Sequence, residues 1–146
     1  VLVIYDTMWK STEIMAKAIL AGALELDIEA RLIDVRNDHM TVVAAEILDA
    51  AAIAVGSPTL NKTLMPEMAG ALTYIKGLGA TNKKGFAFGS YGWSKGGAKD
   101  VEGYLTAMKV DLLREPLQCQ FVPTDEVLEE CRAAGKMLAE AAIESE

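Results

Sequence analysis

Histidine is almost absent from this chain of 146 residues, and cysteine is scarce. His39 is the sole histidine, and Cys119 and Cys131 do not form a C-x-x-C pair. A metal centre that handles several electrons needs clustered imidazole, thiolate or carboxylate ligands, and the sequence sets out no such cluster. Apolar runs are short: none approaches the roughly 18 residues of a membrane span, and nothing resembles a signal peptide. The triphosphate loop G-x-x-x-x-G-K-[ST] is missing, and so is the dinucleotide fingerprint G-x-G-x-x-G. Positive charge is in deficit, with a net charge of −7. That balance argues against nucleic acid and suits a protein that docks on basic patches of a partner. The two cysteines read as buried thiols in a reducing cytoplasm. His39, in the polar turn Asn37-Asp38-His39, reads as a surface residue. There are no repeats or low-complexity tracts.

Hydrophobic residues make up 51% of the chain, enough for one domain, 1–146, with a full core and too few residues for two ordinary domains. The first residue, Val1, lies inside an apolar run with no initiator Met, which suggests a domain from the C-terminal part of something longer. Apolar strand-like runs fall at 2–5, 29–35, 51–56, 85–89 and 117–121. Helical patterns fill the intervals: the first, between the first two strands, places Met15, Ala18, Ile19 and Gly22 on one face, and the others lie at 41–49, 66–76, 97–108 and 124–144. Gly22 would let that helix approach the sheet closely. Thr124 after Pro123, with Asp125 and Glu126 following, is an N-cap signature. Repeated βα units imply a parallel sheet with helices on both faces, and ligands then bind at the carboxyl ends of the strands.

Three loops belong to that edge. Tyr5-Asp6-Thr7-Met8-Trp9-Lys10-Ser11-Thr12 joins the first strand to the first helix and brings three hydroxyls to a helix N-terminus. Neutral donors and backbone amides there suit a single terminal phosphate, as on a mononucleotide; alone, the segment reads equally as a hydroxyl-rich N-cap without a ligand. The others are Gly56-Ser57-Pro58-Thr59-Leu60-Asn61-Lys62 and the glycine-rich, aromatic-bearing Gly89-Ser90-Tyr91-Gly92-Trp93-Ser94-Lys95-Gly96-Gly97-Ala98. Glycine lets backbone amides approach a planar ring while an aromatic side chain stacks on it. A phosphate site, an apolar wall and such a loop on one rim describe a pocket for flavin mononucleotide, FMN. A receiver-type signalling domain would need a phosphorylatable aspartate at the end of the third strand, where Gly56-Ser57 stands instead.

The three loops, with Glu115-Pro116-Leu117-Gln118 and Val122-Pro123-Thr124, resemble the flavodoxin domain of flavodiiron proteins, and the resemblance extends over essentially the whole chain. It implies a flavodoxin-like α/β fold: a five-stranded parallel sheet of order 2-1-3-4-5. It also implies FMN held through its phosphate by Thr7, Met8, Ser11 and Thr12, with Trp9 and Lys10 in the same loop. Pro58, Thr59, Leu60 and Asn61 would meet the isoalloxazine and its polar edge. Ser90, Tyr91, Gly92 and Trp93 would meet the other side, with Gly96 and Gly97 nearby. Three departures from ordinary flavodoxins stand out. Lys10 replaces a common glycine and must adopt the conformation glycine usually supplies. Leu60 replaces a common tryptophan, and Lys62 and Lys95 flank a pocket that is often acidic. Trp9 could cover the ligand or cap the core.

Parent proteins of that family carry an upstream metallo-β-lactamase-like domain whose diiron centre reduces O2 or NO. The resemblance therefore implies electron transfer from a rubredoxin- or reductase-like donor protein, through the flavin, to a diiron domain, across a head-to-tail homodimer. The alternative is a stand-alone flavodoxin or FMN-dependent quinone reductase.

Overall fold

The structure, a computed structural model, describes residues 1–79 and 81–145. Its elements follow in order β1 (Leu2–Tyr5), α1 (Ser11–Leu24), β2 (Arg31–Asp34), α2 (Met40–Asp49), β3 (Ala52–Gly56), α3 (Pro66–Gly77), β4 (Lys84–Tyr91), α4 (Gly97–Ala107), β5 (Asp111–Leu112), β6 (Leu117–Gln120) and α5 (Asp125–Glu144). The strands β1 and β3 are buried at every residue, as continuous apolar runs covered on both sides must be. Every strand pairing is parallel, and the order is β2-β1-β3-β4-β5, with β6 also on β4.

Side chains alternate across the sheet. Leu2, Ile4, Ile53 and Val55 face one core with Val43 and Ile47 of α2, Met68, Leu72 and Ile75 of α3, and Val101 and Leu105 of α4. Val3, Tyr5, Phe86 and Phe88 face the other, with Met15 and Ile19 of α1 and Cys131 and Leu138 of α5. Helices thus cover both faces, as the βα alternation requires.

The expected parallel order 2-1-3-4-5 is found with one strand added, and the expectation for Gly22 is corrected. The sheet has six strands, because its fifth column is split. Asp111–Leu112 pairs with Lys84 and Gly85, and Leu117–Gln120 pairs further along, with residues from Phe88 to Tyr91. Residues 113–116 carry the chain between the two pieces, and Pro116 in that stretch has no N–H to give to a ladder. Gly22 serves a helix rather than the sheet. A Cβ there would lie 1.9 Å from the Arg132 carbonyl oxygen on α5, and a Cβ at Gly135 would lie 1.9 Å from the Ile19 carbonyl oxygen on α1. The two glycines let α1 and α5 pack backbone to backbone.

The caps agree with the local chemistry. Thr124 Oγ1 accepts from the Val127 N–H at 3.3 Å, so α5 opens as its sequence indicates. His39 is exposed and caps α2, its Nδ1 accepting from the Thr41 N–H at 3.1 Å. Cys119 and Cys131 are both buried and free, and burial pushes their thiols up to about 11 and about 12. Among the described residues no helix is long and apolar enough to cross a membrane.

Candidate functional site

In this strand order the chain turns to opposite sides of β1, so a crevice opens at the carboxyl ends of β1 and β3. The loops after β1, β3, β4 and β6 converge there. Two adjoining hollows of about 260 and 410 Å3 occupy the crevice. Met8, Trp9, Thr59, Gly92 and Phe121 border both; Ser11, Pro58, Ser90, Tyr91 and Val122 complete the first. Leu60, Asn61, Trp93 and Ser94 complete the second. The combined size and the mixture of apolar walls with a few polar groups are those of a site for a flat organic ligand.

The first loop is held from below. Asp6 has no exposed surface; its N–H donates to the Gly56 carbonyl at 3.0 Å. Its Oδ1 accepts from the Thr7 N–H at 2.8 Å and from Arg36 Nε at 2.6 Å. Arg36 also reaches Glu67 at 3.3 Å. Burial pushes the Asp6 carboxyl up, and the Arg36 hydrogen bond and charge pull it back. Lys10 takes φ 70°, the left-handed conformation that the missing glycine demands, and serves as N-cap of α1. No side chain caps that helix. The hydroxyls of Thr7, Ser11 and Thr12 are therefore not spent on its first amides, which bears against the plain N-cap reading. Thr7 Oγ1 and Asp6 Oδ2 are buried with no hydrogen-bond partner. Thr12 is fully buried and shares a 2.8 Å hydrogen bond with Ser90, which ties α1 to β4.

The second loop closes as a tight turn. Leu60 and Thr63 exchange N–H to carbonyl bonds of 2.8 and 3.0 Å, with Asn61 at φ 51° and Lys62 at φ 67° between them. Positive φ at both central residues is what a type I′ turn requires, and asparagine tolerates it better than most side chains. Ser57 Oγ accepts from the Met65 N–H at 2.9 Å and anchors the far end of the loop.

The third loop is stitched to the second. The Gly97 N–H donates to Thr59 Oγ1 at 2.9 Å. A Cβ at Gly96 would meet the Lys62 carbonyl oxygen at 1.9 Å, and one at Gly97 the Pro58 carbonyl oxygen at 2.7 Å. These glycines set how closely the loops approach and do not border the hollows. Trp93 is 97% exposed and meets Phe121 edge-on, with ring centroids 5.9 Å apart. Lys95 Nζ lies 5.2 Å from the Tyr91 ring centroid, a cation–π contact. Trp9 is 82% exposed, so it does not cap the core and stands at the rim of both hollows.

Of the residues expected from sequence, the structure thus brings Met8, Trp9, Ser11, Pro58, Thr59, Leu60, Asn61, Ser90, Tyr91, Gly92 and Trp93 around one crevice. Thr7, Lys10 and Thr12 do not border the hollows, Lys10 being exposed, and Gly96 and Gly97 brace the loops around them. Sequence reasoning missed Phe121, Val122 and Ser94 as lining residues, and the Asp6–Arg36 pair as the support. Val122 carries a signal, a large apolar residue just beyond the expected strand 117–121, whereas Phe121 reads as part of that strand.

The residues fit FMN on grounds internal to the structure. An uncapped helix N-terminus with a buried, unpartnered hydroxyl beside it suits a phosphate, and the hollow with aliphatic and aromatic walls suits a tricyclic ring. Known proteins agree. A sequence model of the flavodoxin family matches residues 3–135. The nitric oxide reductase of Moorella thermoacetica is 42% identical over 136 residues, which are 92% of this chain and 34% of that protein. The structure of rubredoxin oxygen:oxidoreductase from Desulfovibrio gigas superposes with a TM-score of 0.95 at 37% identity, over 99% of this chain and 36% of that one. The flavodiiron protein of Giardia intestinalis gives a TM-score of 0.94 at 36% identity, with the same coverage. The chain spans about a third of the length of each of these relatives, and the part it matches is their flavodoxin-like domain. Fold, crevice and similarity together show that the chain belongs to the flavodoxin family of FMN-binding domains.

Proposed function

We propose that this chain is the electron-transfer domain of a flavodiiron O2 or NO reductase, taking electrons from a rubredoxin- or reductase-like donor and passing them to a diiron centre. The observation that carries this reading is the crevice itself: a helix N-terminus left free of side-chain caps, opening into an apolar hollow rimmed by the exposed Trp9 and Trp93. Bound FMN supplies the redox chemistry, accepting and releasing electrons singly or in pairs. The protein's own residues bind, orient and shield. Ser11, Thr7 and the first amides of α1 would hold the phosphate by neutral donors, reinforced by the helix dipole. Pro58, Leu60 and Tyr91 would wall the ring, and Asn61, at the tight turn, would meet its polar edge. The lysines at positions 62 and 95 place positive charge near the rim and favour any form of the cofactor that carries negative charge.

A diiron centre would have to come from another part of the protein. Among the described residues no group of three or more His, Cys, Asp or Glu side chains is placed to hold a metal ion. The names of the relatives, a nitric oxide reductase and a rubredoxin oxygen:oxidoreductase, support both the terminal acceptors and the donor class. A head-to-tail homodimer would bring a diiron domain against the exposed tryptophans, and an acidic chain lacking nucleic-acid features is consistent with a protein partner. The test is anaerobic NO consumption by the FMN-loaded chain with a reduced donor protein. The chain should be reduced by the donor yet consume NO negligibly, and activity should appear only with the diiron domain present. Rapid NO turnover by the chain alone would refute the carrier reading and favour a self-sufficient flavin reductase.

A further inference from the structure

Phe121 holds an unusual backbone. Its φ is 57°, the left-handed region that bulky L-residues avoid because Cβ crowds the carbonyl. Five contacts fix this corner. The Phe121 N–H donates to the Tyr91 carbonyl at 2.7 Å, and its own carbonyl accepts from Cys119 Sγ at 3.8 Å. The preceding Gln120 donates through Nε2 to the Gly92 carbonyl at 3.2 Å. The ring of Phe121 meets Trp93 edge-on, and it runs close beside Gly92, where a Cβ would already touch it at 3.4 Å. A conformation this costly persists where the surroundings impose it, and such residues cluster at ligand clamps. What the conformation gains here is not core packing, since the residue is 53% exposed. It is a position: Phe121 borders both hollows of the crevice.

We propose that Phe121 is a flavin-binding residue, a fourth wall of the site supplied from the end of β6, held in a strained conformation so that its ring faces the planar part of the ligand. This inference rests on the FMN reading. It adds that binding affinity is obtained at the expense of backbone strain in the free protein. Phe121 and Trp93 then act as one aromatic corner, with the Phe121 ring running beside Gly92. Because a ring wall meets the isoalloxazine, which FMN and riboflavin share, it should contribute to both alike.

The test compares Phe121→Gly and Phe121→Tyr with the native chain, by titration with FMN and with riboflavin and by thermal unfolding of the flavin-free protein. Phe121→Gly should weaken both flavins by the same factor, on the order of tenfold. Its flavin-free form should unfold at the native temperature or above, because glycine relieves the strained backbone. Phe121→Tyr, which keeps the ring, should bind both flavins as the native chain does. Unchanged affinity in Phe121→Gly, a loss confined to FMN, or a fall in stability alongside affinity would overturn the inference. Failure of the native chain to bind either flavin would instead refute the FMN reading beneath it.

Discussion

Replacing Arg36 by Met should destabilise the chain in a manner that depends on pH. Asp6 is completely buried, and among the described residues its only charged partner within hydrogen-bond distance is Arg36, at 2.6 Å. Removing one member of a buried pair typically costs ~3–5 kcal/mol. The folded variant can escape by protonating Asp6. From an ordinary value of 3.8 that costs about 4 kcal/mol at pH 7 and about 2 kcal/mol at pH 5. Arg36 is itself 39% exposed, so part of its interaction is already screened. We therefore expect a loss of about 2–3 kcal/mol at pH 7, shrinking towards pH 5. The sign follows from the direction of the shift. Burial raises the Asp6 carboxyl above its unfolded value, so the stability tied to its proton is present below 3.8 and is lost as pH rises through the folded value. Without Arg36 the folded value climbs further, and the window of loss extends towards neutrality. Urea denaturation from pH 5 to pH 8 measures this, with midpoints compared at constant slope. The double variant Asp6→Asn, Arg36→Met should recover most of the loss at pH 7. A pH-independent loss, or one below about 0.5 kcal/mol, would refute the view that the Arg36 pair holds the first loop of the site.

Other expectations concern the phosphate cradle and the helix pair. Ser11→Ala should weaken FMN by ~1.5–3 kcal/mol, the worth of a hydrogen bond to a charged group, and leave riboflavin affinity unchanged; comparative fluorescence titration decides it. Gly22→Ala should cost ~1–3 kcal/mol by forcing α1 from α5, whereas Gly70→Ala, where a Cβ would meet nothing within 4 Å, should gain about 0.5–1 kcal/mol in chemical denaturation.

Much of this architecture is legible in the sequence because local signals and the global fold agree. The buried strands β1 and β3 are unbroken apolar runs, and Thr124 announces α5 before the structure shows it. The crevice was legible too, since three loops with unusual composition must meet at one edge of a parallel sheet. Asn61 and Lys10 announced their positive φ through the company they keep: a turn between apolar runs, and a position where glycine is customary. What escaped was set by tertiary contact. Two residues, Asp111 and Leu112, are too short a run to show strand periodicity, and only pairing with β4 makes them one. Gly22 carries no mark of which neighbour it must admit, and its partner Gly135 lies on the last helix. Asp6 and Arg36 are 30 residues apart, and nothing in either segment predicts that they pair. Phe121 looks like the tail of a strand; its left-handed turn into the crevice is imposed by the loop after β4.

The most direct test of the central claim is the absorption spectrum of the chain after mixing with FMN and removal of free ligand, repeated with riboflavin. Bound flavin bands at one FMN per chain, with riboflavin retained more weakly because it lacks the phosphate, are the predicted result. A folded chain that retains neither flavin, or that retains riboflavin as well as FMN, would contradict a site built on the N-terminus of α1.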